Sequence, residues 1–382
     1  MKPWLQPSLP LLLVIQLPHR SGRKYLNMRT VTAIAILGLG VVLGCRRSDS
    51  SSLRMNSMPI HSDTTPIDEL QAIDVNETKQ WILCRGRDRS KPVVLFVHGG
   101  PGTPLMMYSR AFDDSFINDF VVVHWDQRGA GKSFDPKAPI EQLRFPQFVD
   151  DGLVVVEHLK RKFQREKIVL VGHSWGTIVA FAMAAKRPAE FQSLVTVGTM
   201  TDTIAIENYR FKLLKTAIEA SGDKAAANDL AELGPPPYGS HVKLERFGNL
   251  ILKFLGFGGV FHELTMEQAS AAVLKNREYS EAELVASFEA LKIGLNQLSD
   301  FVNAYVAVRA VPSIQVPVYF VQGQHDSNTP SKISREYFDA LIAPQGKTWI
   351  EFEDAAHFAF YDNPERFLEV LALAAKPPTK RF

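Results

Sequence analysis

Three side chains far apart in this sequence have the types that covalent hydrolysis needs: a serine in Gly172-His173-Ser174-Trp175-Gly176, an aspartate at Asp326 and a histidine at His357. Serine is a weak nucleophile until a base takes its proton. Imidazole titrates near working pH, and a carboxylate behind it fixes the tautomer and steadies the imidazolium. Ser174 is therefore the candidate nucleophile, His357 the base and Asp326 the orienter. Rival partners exist, since His173 adjoins the serine, His325 adjoins Asp326 and Asp354 lies near His357. A residue next to a functional one on a tight turn normally points away, which favours the three named. The plain alternative for the G-x-S-x-G pattern is a glycine-rich strand-to-helix turn with no chemistry.

The elements that would position these residues decide between the two readings. Ile168 to Met183 is an apolar β-branched run, a sharp turn and a helical pattern, an arrangement that raises a serine hydroxyl at the end of a sheet. A strand over Val316–Val321 leads to Gly323-Gln324-His325-Asp326, and another over Thr348–Phe352 leads to His357. Pro92–Val97 runs into His98-Gly99-Gly100-Pro101-Gly102, and Phe120–Trp125 runs into Asp126-Gln127-Arg128-Gly129-Ala130-Gly131-Lys132-Ser133. Strands ending in glycine-rich loops with helices between them predict a mostly parallel sheet whose carboxyl edge carries the chemistry. A hairpin over Glu69–Val75 and Lys79–Arg85 precedes it, helices over Phe145–Phe163 and Pro364–Ala374 flank it, and a short strand covers Ser193–Val197. The developing oxyanion needs backbone donors, for which Trp175 and Gly100 are the candidates. Gly131-Lys132-Ser133 is not a phosphate loop, because Asp126 stands where that pattern needs glycine.

From about Thr201 to Val308 the strand signals stop and helical ones take over, with breaks at Gly222, Gly234-Pro235-Pro236-Pro237 and Gly256–Gly259 and a capping box at Ser280 and Glu283. Strand signals resume at Val316, so this is predicted as a helical cap inserted over the sheet edge. The expected organisation is a leader over 1–45, a linker over 46–63, the core over 64–200 and 309–382, and the cap over 201–308. With 382 residues, 46% of them apolar, the chain has room for a substantial core. Lys and Arg number 43 against 41 Asp and Glu, a net charge of +2 that gives no footing for a nucleic-acid partner. Neither a cofactor nor a metal is expected, because the two cysteines and ten histidines show no metal-ligand spacing. Cys84 reads as a small buried hydrophobe.

Val31–Gly44 is apolar, follows Lys24 and Arg29, and ends at Cys45 before a polar, serine-rich run. It is shorter than the roughly 20 residues a membrane span needs but suits a signal segment. Val42-Leu43-Gly44-Cys45 resembles a bacterial lipoprotein cleavage site, with Leu43 where a small residue is usual; acylation of Cys45 would tether the protein on the outer face of a membrane. An ordinary cleaved signal or an uncleaved anchor is the other reading, and Met28 is an alternative start.

Taken together, His98-Gly99-Gly100-Pro101-Gly102, Asp126-Gln127-Arg128-Gly129-x-Gly131-x-Ser133 and Gly172-x-Ser174-Trp175-Gly176, followed by a helical cap, resemble the prolyl iminopeptidase family of α/β-hydrolases over roughly Ile67 to Leu373. The resemblance implies an α/β-hydrolase fold and an aminopeptidase that releases an amino-terminal residue, often proline, from a small peptide. It also implies cap glutamates that bind the free α-amine; Glu207, Glu263 and Glu267 are the candidates. His173 departs from the pattern, standing where proline-specific members usually have glycine. A carboxylesterase or other small-ester or amide hydrolase uses the same triad, and a non-catalytic binding protein on the same fold is the alternative outside catalysis.

Overall fold

The protein is described from a computed structural model, which covers residues 65–238, 241–256, 259–262, 273 and 276–377. The leader, the linker, Cys45, Glu263 and Glu267 lie outside the described residues.

Eight strands form one sheet in the order β1-β2-β4-β3-β5-β6-β7-β8. They are β1 (Ile67–Val75), β2 (Thr78–Gly86), β3 (Val93–Val97), β4 (Val121–Asp126), β5 (Ile168–His173), β6 (Phe191–Val197), β7 (Val318–Gly323) and β8 (Lys347–Phe352). The β1–β2 and β2–β4 pairs are antiparallel and every later pair is parallel. Every residue of β3, β4 and β5 is buried. That is why these strands read as unbroken apolar runs rather than alternating ones, for a parallel strand is covered on both faces.

Helix α1 (Phe145–Phe163) buries Leu153, Val156 and Leu159 on one stripe, with Pro146 in its first turn and Gln164 left-handed at its end. Helix α2 (Trp175–Lys186) follows β5 directly and is buried almost all round, consistent with its Ala-rich, apolar sequence. Between β6 and β7 lie α3 (Thr203–Ser221), α4 (Lys224–Leu233), α5 (His241–Leu255) and α6 (Glu281–Ala304). The first two begin on aspartate caps, Asp202 and Asp223, and α6 begins on the Ser280–Glu283 capping box. Leu214, Ile218, Leu230, Leu233, Tyr238, Phe247 and Leu250 give these helices a small core of their own. Helices α7 (Ser331–Ala340) and α8 (Pro364–Ala374) complete the flanks of the sheet. Cys84 is fully buried in β2, and burial pushes its thiol up to about 12. Among the described residues no helix is long and apolar enough to cross a membrane.

Candidate active site

Ser174 stands between β5 and α2 with φ 53° and ψ −124°, a strained backbone for a residue with a side chain. The turn is held by Ser174 N–H donating to Val197 O at 3.0 Å and by Thr177 N–H donating to Ser174 O at 2.8 Å. Strain kept in place by a strand on one side and a helix on the other points to a positioned side chain. Ser174 itself is only half-buried, so its hydroxyl stays within reach of a substrate.

The loop after β3 closes over this turn. Gly99 packs so near that a Cβ there would lie 2.9 Å from Ser174 Cβ, and Gly100 holds φ +115°, which a side chain would oppose. Trp175 is the first residue of α2, so its backbone N–H has no acceptor within the helix. Its buried indole donates to Gln127 Oε1 at 3.3 Å, while Gln127 donates to His98 O at 2.8 Å and, from its backbone, to His98 Nε2 at 3.1 Å. His98 Nδ1–H in turn donates to Gly99 O at 2.8 Å. Burial, against that hydrogen bond, brings the His98 imidazole down to about 4, so it is a neutral strut joining the loops after β3 and β4.

Asp326 and His357 are a pair. His357 Nδ1–H donates to Asp326 Oδ2 at 2.9 Å, which leaves Nε2 as the acceptor nitrogen. The same carboxylate accepts from Thr329 Oγ1 at 2.7 Å and from the backbone N–H groups of Asn328 and Thr329, both at 2.8 Å. Burial works against its charge, but His357 and these donors outweigh it and hold the carboxyl below its ordinary value. The rival partners face elsewhere. His325 is exposed, and Asp354 accepts from Asn363 at 2.7 Å. His173 is buried, with its ring 4.7 Å from that of His357 and its Nε2 3.1 Å from His357 O. Burial, helped by the neighbouring His357, takes its imidazole well below the usual range, so it too is a neutral brace.

A segment of the helical insertion is strapped across both loops. Asn328 Nδ2 donates to Gly259 O at 3.2 Å and His357 N–H to Val260 O at 3.1 Å. Phe261 stacks on Phe358 at 4.6 Å and meets Tyr361 edge-on at 5.6 Å, and His262 lies 4.2 Å from His325. Sequence reasoning missed this strap, because nothing local marks residues that will meet a loop a hundred positions later. It also missed Thr329, for which the Asp326-x-x-Thr329 spacing, a turn in which aspartate caps the next backbone amides, was an available signal.

Glu207 is on the buried face of α3, 8% exposed, with Oε2 making no hydrogen bond among the described residues. Burial raises its carboxyl above the ordinary range, and the charge of Arg210 only partly offsets this. Among the described residues no group of three or more His, Cys, Asp and Glu is arranged to hold a metal ion.

Residues 92–364 match the family described as the alpha/beta hydrolase fold. A probable aminopeptidase, YbaC, of Bacillus subtilis (strain 168) is 30% identical over 311 residues, 80% of this chain and 96% of that protein. A proline iminopeptidase of Saccharolobus solfataricus is 24% identical over 283 residues, 72% of this chain and 82% of that protein. Among solved structures, a proline iminopeptidase-related protein from Thermus thermophilus superposes with a TM-score of 0.57 at 19% identity, covering 80% of this chain and 96% of that one. This chain belongs to the α/β-hydrolase fold family, alongside proteins named as aminopeptidases and proline iminopeptidases.

Proposed function

We propose that the protein is a serine aminopeptidase that releases the amino-terminal residue of a small peptide, with Ser174, His357 and Asp326 as its triad. Ser174 Oγ attacks the scissile carbonyl while His357 Nε2 takes its proton, and Asp326 steadies the resulting imidazolium. The oxyanion so formed would be met by the backbone N–H groups of Trp175 and Gly100. The intermediate collapses, His357 passes the proton to the departing amine, and water then releases the acyl group by the same route.

One observation carries the choice of an aminopeptidase over an esterase: Glu207, a carboxylate on the buried face of the helix that follows β6, has an oxygen, Oε2, with no hydrogen-bond partner among the described residues. A buried carboxylate without a donor costs stability, and a substrate ammonium would supply the donor. The names of the relatives make proline the first amino-terminal residue to try.

The test is parallel turnover of a panel of aminoacyl amides, including prolyl β-naphthylamide, and of p-nitrophenyl acetate, with Ser174→Ala as control. Aminoacyl amide cleavage that vanishes in Ser174→Ala, with fluorophosphonate labelling of the wild type at Ser174, is the expected result. Cleavage of the acetate alone would make the protein an esterase, and a wild type that no fluorophosphonate labels would remove the triad.

A further inference from the structure

Arg210 lies one helical turn beyond Glu207 on α3, on the stripe that also carries Leu214. It is partly buried, its Nε is shut off from solvent with no hydrogen-bond partner among the described residues, and its guanidinium lies over one face of Phe247 at 5.5 Å. Glu207 and Arg210 act on each other through charge alone, with no hydrogen bond between them. Burial pulls the Arg210 guanidinium below its ordinary value, and the charges of Glu207 and Asp326 act against that. A guanidinium carries five N–H donors and no acceptor, and its best partner is a carboxylate gripped by two parallel bonds. A carboxylate oxygen and a guanidinium N–H, both shut off from water and neither satisfied by the other, form an uncommon arrangement for a fold to keep unless something bridges them.

We infer that Arg210 receives the carboxylate of the substrate, so that Glu207 and Arg210 together select a dipeptide, free at both ends, over longer or carboxyl-blocked peptides. This rests on the aminopeptidase reading, in which Glu207 takes the ammonium. Side chains three residues apart on a helix have Cβ atoms about 5–6 Å apart. An extended chain advances about 3.3–3.6 Å per residue, so the two ends of a dipeptide lie roughly 7 Å apart. The two spans match, and each further residue moves the carboxylate out of reach. The aromatic face of Phe247 supports the cation from one side and leaves its donors for the ligand.

The experiment compares kcat/KM for Pro-Ala and Ala-Ala, for the carboxyl-terminal amides of both, and for Ala-Ala-Ala-Ala, in the wild type, Arg210→Met and Arg210→Lys. The wild type is expected to prefer each free dipeptide to its amide and to the tetrapeptide by tenfold or more. In Arg210→Met that preference falls to near one, through a higher KM for the dipeptide with the amide unchanged, and Arg210→Lys recovers part of it. A wild type that cleaves dipeptide and amide alike overturns the inference and leaves the aminopeptidase standing. So does an Arg210→Met that slows both by one factor, since that is what a merely structural arginine would do. If the wild type cleaves neither these peptides nor any aminoacyl amide, both readings fall together.

Discussion

Two arginine–carboxylate neighbours in this molecule have opposite fates. Arg128 and Asp151, just past the end of β4, are buried and tightly bonded: Nε meets Oδ2 at 2.7 Å, Nη2 meets Oδ1 at 2.9 Å, Nη1 reaches Gln142 Oε1 and Nη2 also reaches Asn76 O. Asp151 also accepts from Gln80 at 2.6 Å, Asn76 at 2.9 Å and Gln147 at 3.0 Å, and Gln80 accepts in turn from Trp125. Glu207 is likewise buried and Arg210 partly so, yet Glu207 Oε2 and Arg210 Nε have no hydrogen-bond partner among the described residues. The first pair is architecture, a network that holds both charges in place; the second, as proposed above, is a site short of a ligand. A motif such as Asp126-Gln127-Arg128 can thus distinguish a family while serving its loops rather than its chemistry.

The largest effect expected from this contrast is in stability. Asp151→Ala strands the Arg128 guanidinium and the Gln80 amide in the interior, and breaking a buried pair from one side costs about 3–5 kcal/mol. Urea unfolding followed by fluorescence should show a loss of that size. A loss below about 1 kcal/mol would mean that the network relaxes or admits water, and the contrast with the second pair would lose its first half.

A smaller effect sharpens the comparison from the side of the insertion, whose strap buries Phe261. Phe261 is buried against Phe358 and Tyr361, while its neighbour Val260 accepts the His357 backbone N–H. An aromatic pair adds about 0.5–1.5 kcal/mol beyond its buried area, which corresponds at most to roughly tenfold in rate if all of it serves to hold the base. Phe261→Ala should therefore lower kcat by up to tenfold with KM little changed, and Phe261→Tyr should keep most of the rate. A change confined to KM would assign Phe261 to substrate binding instead of to positioning His357.

What could be read in advance follows from the range of the interactions. The limits of α1 and α8 and the Ser280–Glu283 box are local, set by side chains three or four positions apart, and the strand-to-loop junctions at Ser174, Asp326 and His357 follow from apolar runs that end in glycine-rich loops. The network around Asp151 joins residues up to 75 positions apart, and the strap joins the insertion to loops that share no pattern with it. Glu207 is one of three glutamates that the family resemblance picks out. The sequence holds a sharper signal, because Glu207 falls two turns before Leu214 on the apolar stripe of α3, where a charge is out of place. Arg210, on the same stripe, carries no motif that would single it out: helical periodicity says which face a residue occupies but not what stands opposite it.

The smallest expected effect has the opposite sign from the first. Glu207→Gln removes a charge that the fold leaves without a donor, so the variant should be as stable as the wild type or more stable by up to about 1 kcal/mol near pH 8. The direction follows from linkage. Burial raises the Glu207 carboxyl above its ordinary value, so between the ordinary and the raised value the native state binds more protons than the unfolded chain, and stability falls as the pH climbs through that window. The glutamine has no such slope. The gap between variant and wild type should therefore open above the ordinary carboxylate range and close below it, in denaturation curves taken from pH 4 to pH 8. Since only the ionised carboxylate holds an ammonium, Glu207→Gln should also be slower on an aminoacyl amide at every pH of that range. A glutamine variant destabilised as severely as Asp151→Ala would make Glu207 one more strut of the fold, and the two pairs would no longer differ.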